Sequence, residues 1–223
     1  MSPRSYRSPV RSAAAQETRA RLVGAASELL AGPDGARGFS LEAVAKASGV
    51  TRLTVYNQFG SRRALLEAVF DQRAQFFGMH RVAEAVQNPD PLAGIASVIA
   101  FFCEFWGSNR EAMAHLHATS VGDPEFEESL RQRNERRRQI LGVLVGRLTP
   151  GRRIGTRARG DVVDMLFVLT SHHVFFELAS GQRTAAAARR LIEGTAMSAL
   201  AAAGFDTGAG PRPSQSSGRL PRP

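Results

Sequence analysis

The side chains best suited to chemistry lie in the segment TRLTVYNQF, residues 51–59. Arg52 can fork onto the O6 and N7 of guanine, and Asn57 can pair with an adenine edge. Thr51, Thr54 and Tyr56 carry hydroxyls that reach phosphate oxygens, and Leu53 can touch a thymine methyl. Val50, Val55 and Phe59 are the apolar positions that would pack this segment inward. Just outside it, Ser40, Lys46 and the run Ser61-Arg62-Arg63 could grip a phosphate backbone, the last through helix N-terminal amides and guanidinium groups. The chemistry implied is recognition of a duplex through its major groove.

A second group of residues suggests a small-molecule pocket. Phe101, Phe102, Phe105 and Trp106 form an aromatic cluster that could wall an effector site, completed by Met113, His117, Met165, His172 and Phe176. Aromatic stripes also serve as ordinary core. His115 and His117 lie two residues apart, and His172 and His173 are adjacent. Neither pair shares a helix face, so a zinc site would need one histidine from each helix, with Glu177. They read better as pocket lining or satisfied core groups, and no metal site is expected. Cys103, on the aromatic helix, reads as a small buried apolar group rather than a redox sensor. The run Arg131–Arg138 follows Glu125, Glu127 and Glu128 and reads as a solvated, ion-paired helix face. No nucleophile elbow, phosphate loop, dinucleotide fingerprint or His-Glu-x-x-His motif occurs, so no catalytic residue and no cofactor is expected.

The elements that must position these groups read as helices nearly throughout. An apolar stripe of Leu22, Ala25, Ala26, Leu29 and Leu30 predicts a helix over about 17–31, stopped by Gly32-Pro33. After the loop PDGARGF, Ser40 is a predicted N-cap for a short helix over 41–47. Gly49 supplies the tight turn, Thr51 caps a second short helix to Phe59, and Ser61 caps a longer one over about 62–81. Further helices are predicted over about 91–106, 110–120, 124–148, 161–179 and 184–203, with TPGRRIGTRARG and SGQR as loops. The sum is an all-α chain of about nine helices.

Length and composition bound the function. The chain has 223 residues, 43% apolar and 22% charged, enough for a real core. The longest apolar stretch, Ile95–Cys103, is interrupted by Ser97 and met by Glu104, so no membrane-spanning helix is expected. The start of the chain has no apolar h-region. A single cysteine excludes an internal disulfide framework, and the expected compartment is the cytoplasm. The net charge of +9 is uneven. Residues 1–81 carry 12 basic and 6 acidic groups, residues 82–206 carry 14 of each, and residues 207–223 carry three arginines and no acid. A basic head on a neutral body points to a polyanion partner for the head. Residues 1–15 read as a disordered basic arm and 206–223 as a disordered tail.

The stretch from Thr18 to Val69 resembles the TetR family of bacterial transcriptional regulators. The pattern is carried in register by Ser40, Val44, Ala45, Ser48, Gly49, Val50, Thr51, Thr54, Val55, Tyr56, Phe59, Ser61, Arg62 and Leu65. Leu53 replaces the family's usual glycine, and Arg62 its usual lysine, which keeps the charge but alters the phosphate contact. The resemblance covers about a quarter of the chain. It implies an N-terminal three-helix helix-turn-helix domain (16–62), a linking helix (62–81), and a C-terminal helical domain (82–205) for effector binding and dimerisation. It further implies a homodimer whose two reading heads sit one helical turn apart, about 34–36 Å, on a near-palindromic double-stranded DNA operator. The expected activity is that of a repressor released by a hydrophobic or aromatic small molecule. The dimer would form through helices 161–179 and 184–203, with Val162, Met165, Leu166, Leu169, Phe176, Leu191, Ile192, Met197, Ala199 and Leu200 as candidates. Two alternatives remain open: a helical ligand-binding or enzymatic protein using its histidines, and a sequence-indifferent nucleoid-type DNA protein.

Overall fold

A computed structural model describes residues 9–148 and 154–208. Among the described residues there are twelve α-helices and no β-strand. They are α1 (Pro9–Ala31), α2 (Gly35–Gly38), α3 (Leu41–Ser48), α4 (Arg52–Phe59), α5 (Arg62–Phe76) and α6 (His80–Gln87), followed by α7 (Pro91–Ser108), α8 (Arg110–Ser120), α9 (Pro124–Arg147), α10 (Thr156–Leu169), α11 (His172–Leu178) and α12 (Ala185–Ala203).

Capping side chains fix most of the starts. Ser40, Thr51, Ser61, Asp90, Asp123, Ser171 and Thr184 each accept a backbone N–H of the first turn, satisfying a donor that the helix itself cannot. Several boundaries differ from those expected. Among them, α10 begins at Thr156, where the unbroken run Thr156–Asp161 can continue into the helix, so the end of the expected loop TPGRRIGTRARG is helical. Helix α1 begins at Pro9, so residues 9–15 of the expected arm are helical; residues 1–8 and 209–223 lie outside the described residues. The loop PDGARGF contains the single turn of α2. The helix expected over 62–81 ends at Phe76, because Gly78 adopts a φ of +92° that no helix continues through, and α6 then starts afresh. The helix expected over 161–179 breaks at Thr170-Ser171. There the Thr170 hydroxyl turns back onto the Leu166 carbonyl and the Ser171 hydroxyl caps α11. The expected count of about nine becomes twelve through α2 and these two breaks.

The head is α1 packed on α3 and α5, with α4 against α3. Leu22, Ala26 and Leu30 of α1 meet Val44, Val55, Leu65 and Val69 in its core. The body is built round α7, which packs against α6, α9, α11 and α12. By length and composition α7 could cross a membrane. Instead, ten of its residues, from Gly94 to Trp106, are buried inside the fold, which makes it the central helix of the bundle. Gly94 lets α6 and α7 touch: a Cβ there would lie 2.5 Å from the Ala85 carbonyl oxygen and 2.8 Å from Leu144 Cδ2. Alanine gains up to about 1 kcal/mol of helix propensity, but the clash involves backbone. Gly94→Ala is therefore expected to destabilise the chain by about 1–3 kcal/mol, read as a lower urea midpoint at unchanged slope.

Head and body are joined by specific contacts. His115 Nδ1 on α8 lies 2.6 Å from the Leu30 carbonyl, with its ring against Gly35. Arg73 on α5 donates to the Ser27 carbonyl and to Asn109 Oδ1, tying α1 to the end of α7. Arg63 pairs with Glu125 at the start of α9 at 3.1 Å.

Candidate nucleic-acid interface and effector cavity

Helices α3 and α4 are joined by Ser48–Thr51, with Gly49 in the left-handed conformation at φ +65°. Val44 and Ala45 of α3 and Val55 and Phe59 of α4 are buried, which fixes the rotation of α4 about its axis. The opposite face of α4 is therefore turned to solvent. Arg52 and Asn57 are exposed, Leu53 is 65% exposed and Tyr56 56%. Large apolar groups are rarely left out in this way without a partner. Lys46, at the end of α3, is exposed too. Arg62 opens α5, with its guanidinium 5.3 Å from the Phe39 ring centroid.

Several hydroxyls expected to contact phosphate also shape helix starts. Thr51 Oγ1 accepts the Thr54 N–H and lies 2.9 Å from Thr54 Oγ1. Ser40 Oγ likewise accepts the Ala43 N–H. These three residues shape the ends of α3 and α4. Tyr56, Arg52, Asn57 and Leu53 make up the open face, with Lys46 and Arg62 at its flanks. Arg19 on α1 backs α4 by donating to the Gln58 carbonyl at 3.0 Å, with its guanidinium 4.2 Å from the Phe59 ring.

In the body, a cavity of about 460 Å³ lies between α5, α7 and α9. Helix α5 contributes Phe70, Asp71, Ala74 and Gln75, and the following turn adds Met79. Helix α7 contributes Phe102, Phe105 and Trp106, and α9 supplies Arg133, Asn134, Arg136, Arg137 and Ile140. Three of the nine residues expected to line an effector pocket, Phe102, Phe105 and Trp106, line this cavity. The other six do not. Phe101 turns to the far side, against Phe77. Met113 is fully buried on α8, Met165 is exposed on α10, and Phe176 lies under the Arg110 guanidinium.

His117 and His172 form a separate cluster with His173. Their rings stack at a tilt, His117 to His172 at 3.7 Å and His172 to His173 at 3.8 Å between centroids. His117 Nδ1 is engaged with the Met113 carbonyl. No group of three potential ligands is arranged to hold a metal among the described residues. Burial, and next the neighbouring His117, pulls His172 down to about 3 from 6.5. The folded chain then keeps His172 neutral where the unfolded chain protonates it. Between those values the unfolded state binds more protons, so stability falls as the pH drops below about 6.5. The urea midpoint should fall more steeply between pH 7 and pH 5 in the wild type than in His172→Gln. Parallel decline in the two proteins would remove His172 from the account.

Cys103 is buried, and burial pushes its thiol up to about 12, which makes it inert. The arginine run of α9 is only partly the solvated face expected of it. Arg131 and Arg138 pair with Glu128 and Glu135. Arg133 reaches Asp71 on α5 at 2.8 Å, and Arg137 is 4% exposed. Its spacing held the signal: Leu130, Arg137, Leu141 and Leu144 fall on one buried stripe of α9.

The geometry of α3, the glycine turn and α4 has a counterpart among known families. Residues 22–69 match the model described as bacterial regulatory proteins, tetR family. This segment, the helix-turn-helix head, is thus similar to the tetR-family N-terminal domain. Beyond that segment, solved structures share the tetR-like fold over most of the chain. A TetR-like transcriptional regulator from Rhodococcus sp. RHA1 is 20% identical with a TM-score of 0.62, covering 82% of this chain and 96% of its own. Another transcriptional regulator from the same source is 18% identical with a TM-score of 0.64, at the same coverage. The multidrug binding protein EbrR, complexed with imidazole, is 18% identical with a TM-score of 0.51, covering 78% of this chain and 92% of its own. No curated protein matches the chain. As in the tetR-like fold of those structures, the head is a helix-turn-helix unit and the remainder a helical body.

Proposed function

We propose that this protein is a cytoplasmic, ligand-responsive repressor that binds a near-palindromic operator as a homodimer and is released by a small hydrophobic or aromatic effector. The observation that carries it is the solvent-facing side of α4, where Arg52, Leu53, Tyr56 and Asn57 stand out from a helix rigidly held by Val55 and Phe59. Base-reading helices in major grooves use the N-terminal part of such a helix. The basic excess of the head supports the same partner, since phosphate neutralisation supplies much of the affinity.

For a dimer face on α10 and α12, fewer of the candidate residues are available to a second copy. Val162, Leu166, Ile192 and Leu200 are buried within their own chain and cannot reach a partner. Met165, Val168 and Leu191 are the large apolar groups left exposed on those helices, and they favour this face for a second copy. Among proteins of the fold, one was obtained with a small heterocycle bound, which agrees with an effector role for the body.

Release follows from linkage. Helix α5 lines the cavity with Phe70 and Ala74, and begins at Ser61 and Arg62, directly after α4. An effector that shifts α5 re-aims α4, and operator and effector then weaken each other by the same factor.

The proposal is tested by placing a photo-cross-linking amino acid at Leu53 or, as control, at Val143, which is equally solvent-facing on α9. With sheared duplex DNA, capture is expected at Leu53 and not at Val143. Equal capture at both positions, or none at Leu53, overturns it.

A further inference from the structure

Arg137 lies deep in the body without an acid. It is 4% exposed, and burial lowers its guanidinium to about 10, so it is still charged at neutral pH. Removing such an ion from water costs several kcal/mol unless a counter-charge or hydrogen bonds offset it. The offsets present are partial. Nη1 donates to the Thr170 carbonyl at 2.6 Å. The rings of Phe102 and Phe167 lie 5.4 and 4.6 Å from the guanidinium carbon, giving cation–π contact. Nε is buried without a hydrogen-bond partner. The acid nearest to hand on the cavity wall, Asp71, is already held by Arg133. The neighbouring Arg138 adds further positive potential.

Arg137 also lines the 460 Å³ cavity, whose wall includes four aromatic rings, Phe70, Phe102, Phe105 and Trp106. Arg133 and Arg136 stand on the same side against the single acid Asp71, so the cavity is electropositive. A planar fork of donors matches a carboxylate better than any other common organic group. The volume is that of an ordinary small-molecule site.

We propose that the cavity takes an amphipathic organic carboxylate, its acid group paired with Arg137 and its apolar body against Phe102, Phe105 and Trp106. This deepens the reading of the cavity as the effector site and rests on it. The ligand supplies the counter-charge that Arg137 lacks, and an uncharged molecule of the same shape leaves the guanidinium unpaired.

Trp106 is the one tryptophan of the chain and lies on the cavity wall, so its emission reports binding directly. The full-length protein is titrated with 4-phenylbutanoate and decanoate and with their primary amides. At least one acid should bind about tenfold or more tightly than its amide, the range expected for a charge-assisted pair. Arg137→Met should bring acid and amide to within about threefold while the amide still binds. Arg137→Lys keeps the charge without the fork and should fall between. If acids and amides bind the wild type equally, the carboxylate assignment is overturned and the effector cavity stands. If none alters Trp106 emission or the melting temperature at millimolar concentration, the cavity reading falls with it. Acid preference that persists in Arg137→Met overturns the role of Arg137. Should Arg137→Met fail to fold, the wild-type ratio and Arg137→Lys decide.

Discussion

Replacing Arg52 and Asn57 together with alanine is expected to weaken specific duplex binding by about thirtyfold to ten-thousandfold, since each two-pronged base contact is worth about 1–3 kcal/mol. Both side chains are exposed and neither has a hydrogen-bond or ion-pair partner among the described residues, so the unfolding free energy should move by no more than about 0.5 kcal/mol. The pairing of a large binding loss with unchanged stability is what separates a reading face from a structural one. Fluorescence anisotropy at fixed salt measures the first and urea unfolding the second. Tyr56→Ala gives the contrast. Its hydroxyl addresses phosphate rather than bases, so it should weaken selected and random duplexes alike. Unchanged preference in the double variant would mean that the open face of α4 does not read sequence.

Phe105→Ala should cost about 3–5 kcal/mol, a large part of the stability of an ordinary domain. The ring packs edge-on against Phe70 and Phe77, is stacked with Phe101, and lies 4.9 Å from Trp106. It is 1% exposed, so truncation leaves a void that the flanking rings cannot close without leaving their rotamers. Because Phe105 also lines the 460 Å³ cavity proposed to take an effector, the variant should enlarge that cavity and lose discrimination between ligand shapes. A lowered urea midpoint with unchanged slope is the expected signature. A loss below about 1 kcal/mol would show that the aromatic cluster repacks freely, contrary to a close-packed core.

The reading head was legible because its signals are local. Ser40, Thr51 and Ser61 cap helices at their own positions, and Gly49 supplies a conformation that few other residues tolerate. Helix α4 therefore spans the residues expected of it, and so does α8. The same logic showed which side of α4 faces outward, since Val55 and Phe59 could only point one way. Thr51 and Thr54 illustrate how one hydroxyl can have two uses. A hydroxyl that accepts a backbone N–H at a helix start still has its own O–H to donate to a phosphate, and the contacts between the two threonines show only the capping use.

The body was less legible because its signals are long-range. The break between α10 and α11 depends on what receives the Thr170 carbonyl. Trp106 Nε1 and Arg137 Nη1 both donate to it, from helices distant in the chain. Six expected pocket residues missed the cavity because aromatic and histidine content says nothing about which helix pair leaves a gap. Arg137 was hidden by its charged neighbours. Composition groups it with Arg136 and Arg138, whereas the stripe through Leu130 and Leu141 places it inside. Four of the dimer candidates, Val162, Leu166, Ile192 and Leu200, are buried within the chain for a related reason. An amphipathic helix shows one apolar side, and α10 and α12 spend most of theirs on each other and on α7 and α9.

The account rests on α4 being a duplicated reader of duplex DNA, and selection of bound duplexes from a random pool by the purified protein tests this most directly. The predicted result is an enriched inverted repeat whose half-sites lie about one helical turn apart, with enrichment lost in the Arg52→Ala, Asn57→Ala double variant. Recovery of sequences without a repeat, or equal enrichment by the variant, would contradict it.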